Sequence, residues 1–305
     1  MAEESNTLNM SNKKIDIFFH IKYFSCPDDH HALKIKDENT IVCSYCQGSF
    51  LLKKDNLIDI RPLEPSKIKR LAGNGYRDIF SETILLNDQR SGWGCLANAH
   101  AGHRAAIKYE RIKILELIKK KCADPNLLID VSGGVGNYSL FFAPEFRSVI
   151  HCELHAPSIV TAMRTASDLD KVNINFLRSD YLSLPLSEEI ADVVICTDTL
   201  ERGQEHEERL LNQIRKVLKP DGIAIVDFHV NRLLRRLNQS SQVKAYNVSD
   251  IEELIYNSGF LIDERMEICH IFSKLVPFEG CYTVLDALFK MLVLGGRLLL
   301  VLRKS

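Results

Sequence analysis

From residue 127 to the C-terminus, short apolar runs alternate with stretches of helical spacing. The runs at 127–131, 148–154, 174–179, 192–198 and 223–230 are nearly continuous in Ile, Val and Leu, the pattern of strands buried on both faces. Between them, 138–142, 157–169 and 206–218 predict helices. Such alternation predicts an α/β fold, a parallel sheet with helices on both faces. Further on, 250–257 predicts a helix capped by Ser249, 260–271 and 297–302 predict two late strands, and 284–294 predicts a helix between them.

Upstream the pattern changes. Residues 103–121 have helical spacing, with Ile107, Ile114, Leu115 and Ile118 on one apolar face. Residues 63–94, with Pro65, Gly73, Gly75 and Gly92, read as a linker holding one short helix. Residues 15–62 carry short strand-like pieces at 15–24, 31–35, 40–43 and 49–60, and 1–14 show no periodicity and predict disorder.

Charge adds one local feature. The chain carries a formal net charge of −1, which argues for neither nucleic acid nor membrane as a partner. Residues 61–121, however, hold 13 Lys/Arg against 6 Asp/Glu. The polar N-terminus lacks the apolar core of a signal peptide, and the apolar stretch 291–302 is broken by Gly295, Gly296 and Arg297, too short to span a bilayer. Nine cysteines without a secretion signal predict reduced thiols and a cytoplasmic protein.

The candidate chemistry begins at 127–136, LLIDVSGGVG, where a buried-strand run ends in an acidic residue and breaks into glycines. Glycines there let a backbone turn approach a nucleotide closely. A dinucleotide fingerprint needs a third glycine three residues after Gly136, and that position holds Ser139. No Gly-Lys-Ser/Thr follows, so a P-loop is excluded. Glu153 ends the next strand-like run, where a carboxylate is well placed to accept hydrogen bonds from a ribose. Nicotinamide enzymes share that requirement, so Glu153 by itself does not name the nucleotide.

In order and spacing, 127–228 resembles the class I S-adenosylmethionine (SAM)-dependent methyltransferases. The family's acidic residue and alternating glycines match Asp130, Gly134 and Gly136, with Ser132 at the usual first glycine and Gly133 beside it. After the third strand the family's adenine-binding acid matches Asp180, with Tyr181 or Leu182 against the ring. ADVVICTDTLER at 191–202 is similar to the family's fourth strand, which implies that Asp198, Thr199 and Leu200 lie against cofactor and substrate. Glu201 fits the family's acidic position, and Arg202 stands where many small-molecule members carry His. Lys219-Pro220-Asp221-Gly222 resembles the family's helix-stopping turn before strand five. The resemblance implies a Rossmann-like, seven-stranded, mostly parallel sheet over 122–305, with 63–121 as a helical linker and substrate lid. It implies cofactor contacts from Asp130, Ser132, Gly133, Gly134, Gly136, Glu153, Asp180, Tyr181, Asp198 and Thr199.

Cys43-x-x-Cys46 has the thiolate spacing zinc prefers, with Cys26, Asp29 and His30 upstream. Residues 15–62 look like the small zinc-ribbon domain that precedes some methyltransferase domains, including certain ribosomal-RNA guanine methyltransferases. A structural zinc would be held by Cys26, Cys43, Cys46 and either His30 or Asp29. A degenerate ribbon folding on its apolar residues is the other reading.

The resemblance implies methyl transfer from SAM. If the acceptor is a hydroxyl or a protonated amine, a base is needed, and Asp198, Glu201, His229 and His100 are candidates. No Asp/Asn-Pro-Pro-Tyr follows the fourth strand, which argues against amino methylation of adenine or cytosine. The expected acceptor is a small molecule or natural product methylated at oxygen or nitrogen. The zinc-ribbon-like unit and the basic segment motivate RNA or protein as the alternative acceptor. Ser132 and Arg202 motivate a non-catalytic SAM- or partner-binding module.

Overall fold

The computed structural model describes residues 21–52, 57–61, 101–200, 204–230, 245–268 and 297–305. A single 3-10 turn at Ile21–Tyr23 precedes four short strands, β1 (Leu33–Asp37), β2 (Thr40–Cys43), β3 (Ser49–Leu52) and β4 (Leu57–Asp59). Helix α1 (Ala101–Lys121) leads into β5 (Leu127–Val131), the four-residue α2 (Ser139–Phe142), β6 (Ser148–Glu153), α3 (Ala156–Asp168) and β7 (Ile174–Arg178). Then come β8 (Ala191–Cys196), α4 (Gln204–Val217), β9 (Leu218–His229), α5 (Val248–Asn257), β10 (Phe260–Ile268) and β11 (Arg297–Lys304).

One sheet of 11 strands runs β1-β2-β3-β4-β7-β6-β5-β8-β9-β11-β10. Its last seven members form the expected mostly parallel sheet. Pairs from β7 to β9 are parallel, and β11 is antiparallel to both β9 and β10. The first four strands extend this sheet, because β4 pairs in parallel with β7, Leu57 opposite Phe176. The direction of winding reverses between β5 and β8, and open α/β sheets bind ligands in the crevice at the carboxyl ends beside such a reversal.

Alternate side chains along the buried strands feed two cores. One face packs Ile129, Val131, Ile150, Val194 and Val226 against Leu210, Leu211 and Ile214 of α4 and Ile251 and Ile255 of α5. Cys26, Ile41 and Phe50 of the N-terminal strands belong to the same core. The opposite face packs Leu128, Val149, Val193 and Ile225 against Ile114 and Ile118 of α1, Phe142 of α2 and Ile159 of α3.

Local expectations differ from the structure at two points. The cap of α5 is Asn247, and Ser249 lies inside the helix with its hydroxyl donating to Asp250 Oδ1 at 3.3 Å. The residues 219–222 lie within the long β9 rather than in a separate turn, with a register shift where β9 meets β8 between Ala191 and Val193. A Cβ on Gly222 would stand 2.8 Å from Leu218 Cδ1 and 3.0 Å from the carbonyl oxygens of Ala191 and Asp192, so a side chain there would have to displace its neighbours. The terminus 1–14 for which disorder was expected, the helices expected in 63–94 and 284–294, and His100, Glu201 and Arg202 lie outside the described residues. No helix among the described residues is long and apolar enough to cross a membrane.

Candidate active site at the sheet reversal

The glycine loop lies between β5 and α2. Ser132, Gly134 and Gly136 all take positive φ, at 59°, 57° and 83°. Ser132 is therefore held in the left-handed region, where a glycine would carry no Cβ strain. The turn closes through Gly136 N–H donating to Gly133 O at 3.0 Å, and Gly133 N–H donates to Cys152 O of β6 at 3.0 Å. Asp130 is buried beneath the loop and accepts hydrogen bonds from the Ser139 amide, at 3.0 Å, and from the Ser139 hydroxyl. It ties the strand end to the first turn of α2. The Ser139 hydroxyl also lies 2.8 Å from Nδ1 of the fully buried His151.

Glu153 ends β6 half-buried beside the loop. Its carboxylate accepts the Gly134 amide at 2.8 Å and the His155 amide at 2.7 Å. Each carboxylate oxygen has a second acceptor position, so this residue can hold the loop and a diol together. Asp180 follows β7, is fully buried and accepts the Leu182 amide at 2.9 Å in an Asx-turn. The Tyr181 hydroxyl lies 3.2 Å from His206 Nε2, with the two rings edge to face at 5.5 Å. Cys196 is core, and burial pushes its thiol up.

Asp198 emerges after β8 with φ 55°, and its amide donates to Asp227 Oδ1 of β9 at 2.8 Å. Thr199 is buried, and its hydroxyl donates to the Thr197 carbonyl at 2.9 Å. Leu200 is fully buried. His229 closes β9 opposite Arg297 of β11, and its carbonyl accepts the Tyr246 amide at 2.9 Å.

Arg297, Asp227, Glu110 and Tyr138 escaped the sequence reading. Arg297 Nε donates to Asp227 Oδ2, Nη1 to Glu110 Oε2 at 3.3 Å, and Nη2 forms an ion pair with Asp198 Oδ1 at 3.0 Å. The Tyr138 hydroxyl donates to Glu110 Oε1 at 2.7 Å. Burial pushes Asp227 up to about 7, against the attraction of Arg297. Burial also opposes the Arg297 charge, but Asp198, Asp227 and Glu110 outweigh it and hold its pKa well above the usual arginine range. The available signal was a charged residue at an edge of, or inside, an otherwise apolar strand: Asp227 in IAIVDFHV and Arg297 before LLLVL.

In the N-terminal strands, ligand atoms of Cys26, Asp29, Cys43 and Cys46 all lie within 4.8 Å of one another. Cys26 Sγ is 3.7 Å from Cys46 Sγ, and Cys43 Sγ is 3.4 Å from either oxygen of Asp29. The Tyr45 amide donates to Cys43 Sγ at 3.3 Å and the Gly48 amide to Cys46 Sγ at 3.4 Å. His30 stays outside this group. Its φ of 61° turns it away, and its Nδ1 lies 3.1 Å from Lys216 Nζ. Of the two candidates for the fourth position, the structure brings in Asp29.

The strand order, the glycine loop at its reversal and the acids that follow β6 and β7 define the class I SAM-dependent methyltransferase fold. Residues 129–226 match the family model described as a methyltransferase domain. The fold is similar to magnesium protoporphyrin IX methyltransferase of Synechocystis PCC 6803, solved with bound SAH, at a TM-score of 0.50 and 15% identity over 75% of this chain and 92% of that one. It is similar to a SAM-dependent methyltransferase of Clostridium acetobutylicum ATCC 824 at a TM-score of 0.50 and 12% identity, over 68% and 94% of the two chains. A protein of Pyrococcus horikoshii OT3 gives a TM-score of 0.50 and 19% identity over 76% and 99%. No curated protein matches the sequence.

Proposed function

We propose that this protein is a SAM-dependent methyltransferase acting on a small-molecule or natural-product acceptor, at oxygen or nitrogen. The observation that carries the reading is the placement of Glu153 against the Gly134 amide at the sheet reversal. The residues present suit the cofactor. Glu153 offers acceptors to ribose hydroxyls, and the loop of Ser132, Gly133, Gly134 and Gly136 offers a small-residue cradle. Asp180 and Tyr181 suit an adenine, and Asp198 and Thr199 are proposed to stand toward the reacting end.

When bound, SAM supplies a methyl group already activated on a sulfonium. The chain's own work is alignment and desolvation, with a carboxylate available to an acceptor proton. Asp198 is the described candidate for that proton, and Glu201 and His229 remain proposals beside it. We place the protein in the cytoplasm, a reading supported by six described cysteines that carry no disulfide.

Calorimetry with SAM, followed by turnover across a panel of alcohols, phenols and amines, tests the reading. Binding with methylated product supports it, whereas SAM binding without turnover on any acceptor favours a non-catalytic binding module. The Cys26, Asp29, Cys43 and Cys46 group supports a structural zinc, since four protein ligands would leave no open position for chemistry. Residues 15–62 as a zinc-ribbon-like unit and 63–121 as a lid complete the proposed organisation. Methylation of RNA is the second reading, favoured by this cysteine group, and a salt-sensitive shift with structured RNA would support it.

A further inference from the structure

At the reversal point one guanidinium holds three carboxylates. Arg297 reaches Asp227, Glu110 and Asp198 through Nε, Nη1 and Nη2 respectively. Arg297, Glu110, Asp227 and Tyr138 are buried, and only Asp198 emerges, with its side chain 58% exposed. A non-glycine residue at φ 55° persists only where its surroundings fix it. Here the fixing groups are visible: Asp227 takes the Asp198 amide and Arg297 takes its carboxylate. The Nη2 contact is an ion pair at 3.0 Å that holds one edge of the Asp198 carboxylate, while the side chain stays 58% exposed on its other side.

Three carboxylates around one guanidinium leave this cluster short of positive charge. Burial raises the Asp227 pKa against the pull of Arg297, and the nearby Asp198 and Glu110 carboxylates push the same way as burial. A cation arriving on the exposed side of Asp198 would supply the missing charge. Glu110 and Tyr138 carry the same clamp back to the residues that follow Gly136, so the glycine loop and the tip of β8 are held from one side chain.

We propose that Arg297 is a positioning residue which, acting through Asp198, fixes a carboxylate at the reversal point and weights binding toward a sulfonium over a neutral thioether. The inference rests on the SAM reading above. In methyl transfer from a bound SAM the carbon–sulfur bond would break as the acceptor's oxygen or nitrogen bonds the methyl carbon. The old bond pair would stay on sulfur as a neutral thioether, and the acceptor would lose its proton to a base or to water. A fixed anion stabilises the charged form and gains nothing from the neutral one. The device therefore favours the SAM-loaded state relative to the S-adenosylhomocysteine state. Lysine cannot replace the arginine here, since three nitrogens in a planar fork serve three carboxylates.

Calorimetry of the full chain with SAM and with S-adenosylhomocysteine tests this. Asp198→Asn should lower the ratio of the two affinities, SAM over S-adenosylhomocysteine, about tenfold. Arg297→Lys should move the ratio the same way, and the double variant should fall no further than Asp198→Asn alone. Equal losses for both ligands in Arg297→Lys, or losses that add in the double variant, would overturn the proposal. Should Arg297→Lys fail to fold by circular dichroism, Asp198→Glu decides. It keeps the charge but moves the carboxylate, and an unchanged ratio there overturns the positioning role. Wild-type protein that binds neither ligand would overturn the SAM reading as well. Wild-type binding with a ratio indifferent to Asp198 overturns this inference alone.

Discussion

A Cβ on Gly133 would stand 2.5 Å from both Cε1 and Nδ1 of His151 and 2.8 Å from Asp130 Oδ2. The imidazole is fully buried and lies edge to face with Phe176 at 5.4 Å, so it has no room to retreat. The glycine loop thus rests directly on a buried histidine, and the constraint at Gly133 is space rather than backbone angle.

Gly133→Ala is expected to destabilise the fold by about 1–3 kcal/mol, as overpacking does. In the His151→Ala background the same change should cost less, because the obstructing ring is gone. Urea unfolding of the four proteins measures the difference. Equal costs in both backgrounds would remove His151 as the cause.

Ser132 occupies the left-handed region with a Cβ that costs on the order of 1 kcal/mol there. Ser132→Gly should leave stability unchanged or raise it by up to about that amount, the unfolded chain's extra freedom offsetting part of the gain. Thermal unfolding would report this, and a clear loss of stability would show that the serine hydroxyl makes a contact the fold depends on.

Glu153 holds the Gly134 and His155 amides and is the proposed ribose acceptor. Glu153→Ala should weaken SAM binding on the order of tenfold or more, from lost hydrogen bonds to a charged group worth about 1.5–3 kcal/mol. An affinity equal to wild type in calorimetry would take Glu153 out of the site.

The carboxyl of Asp227 has its pKa raised to about 7 by burial, beside Arg297, Asp198 and Glu110. A carboxyl whose folded pKa exceeds its unfolded value binds its proton more tightly when folded. The corresponding stability is full below the unfolded value near 4 and is lost as pH rises through about 7. Wild type should lose stability between about pH 4 and about pH 7, at roughly 1 kcal/mol per unit where the slope is steepest. Asp227→Asn should flatten that slope in denaturant titrations at each pH, and a slope identical to wild type would assign it elsewhere.

Purified protein should carry about one zinc per chain if the cysteine group is filled. Asp29→Ala should lower the metal content, while His30→Ala should leave it unchanged, because His30 faces Lys216 instead. Elemental analysis of the two variants reads this directly. Metal-free wild type with an unaltered melting temperature would establish the degenerate ribbon.

The central strands were legible because residues buried on both faces leave an apolar run that only a covered sheet can hide. The acids Glu153, Asp180 and Asp198 were legible because each ends or follows such a run at a fixed place in the alternation. The sequence by itself therefore determined the strand and helix order and the loop that marks the reversal point. It did not determine that β4 would pair with β7, or that Asp29 rather than His30 would join the three cysteines, because both depend on how distant backbone segments meet. Nor did it show that Arg297 would gather Glu110, Asp227 and Asp198. Those residues lie far apart along the chain, and only the packing of α1, β9 and β11 around the tip of β8 brings their charges within reach of one guanidinium.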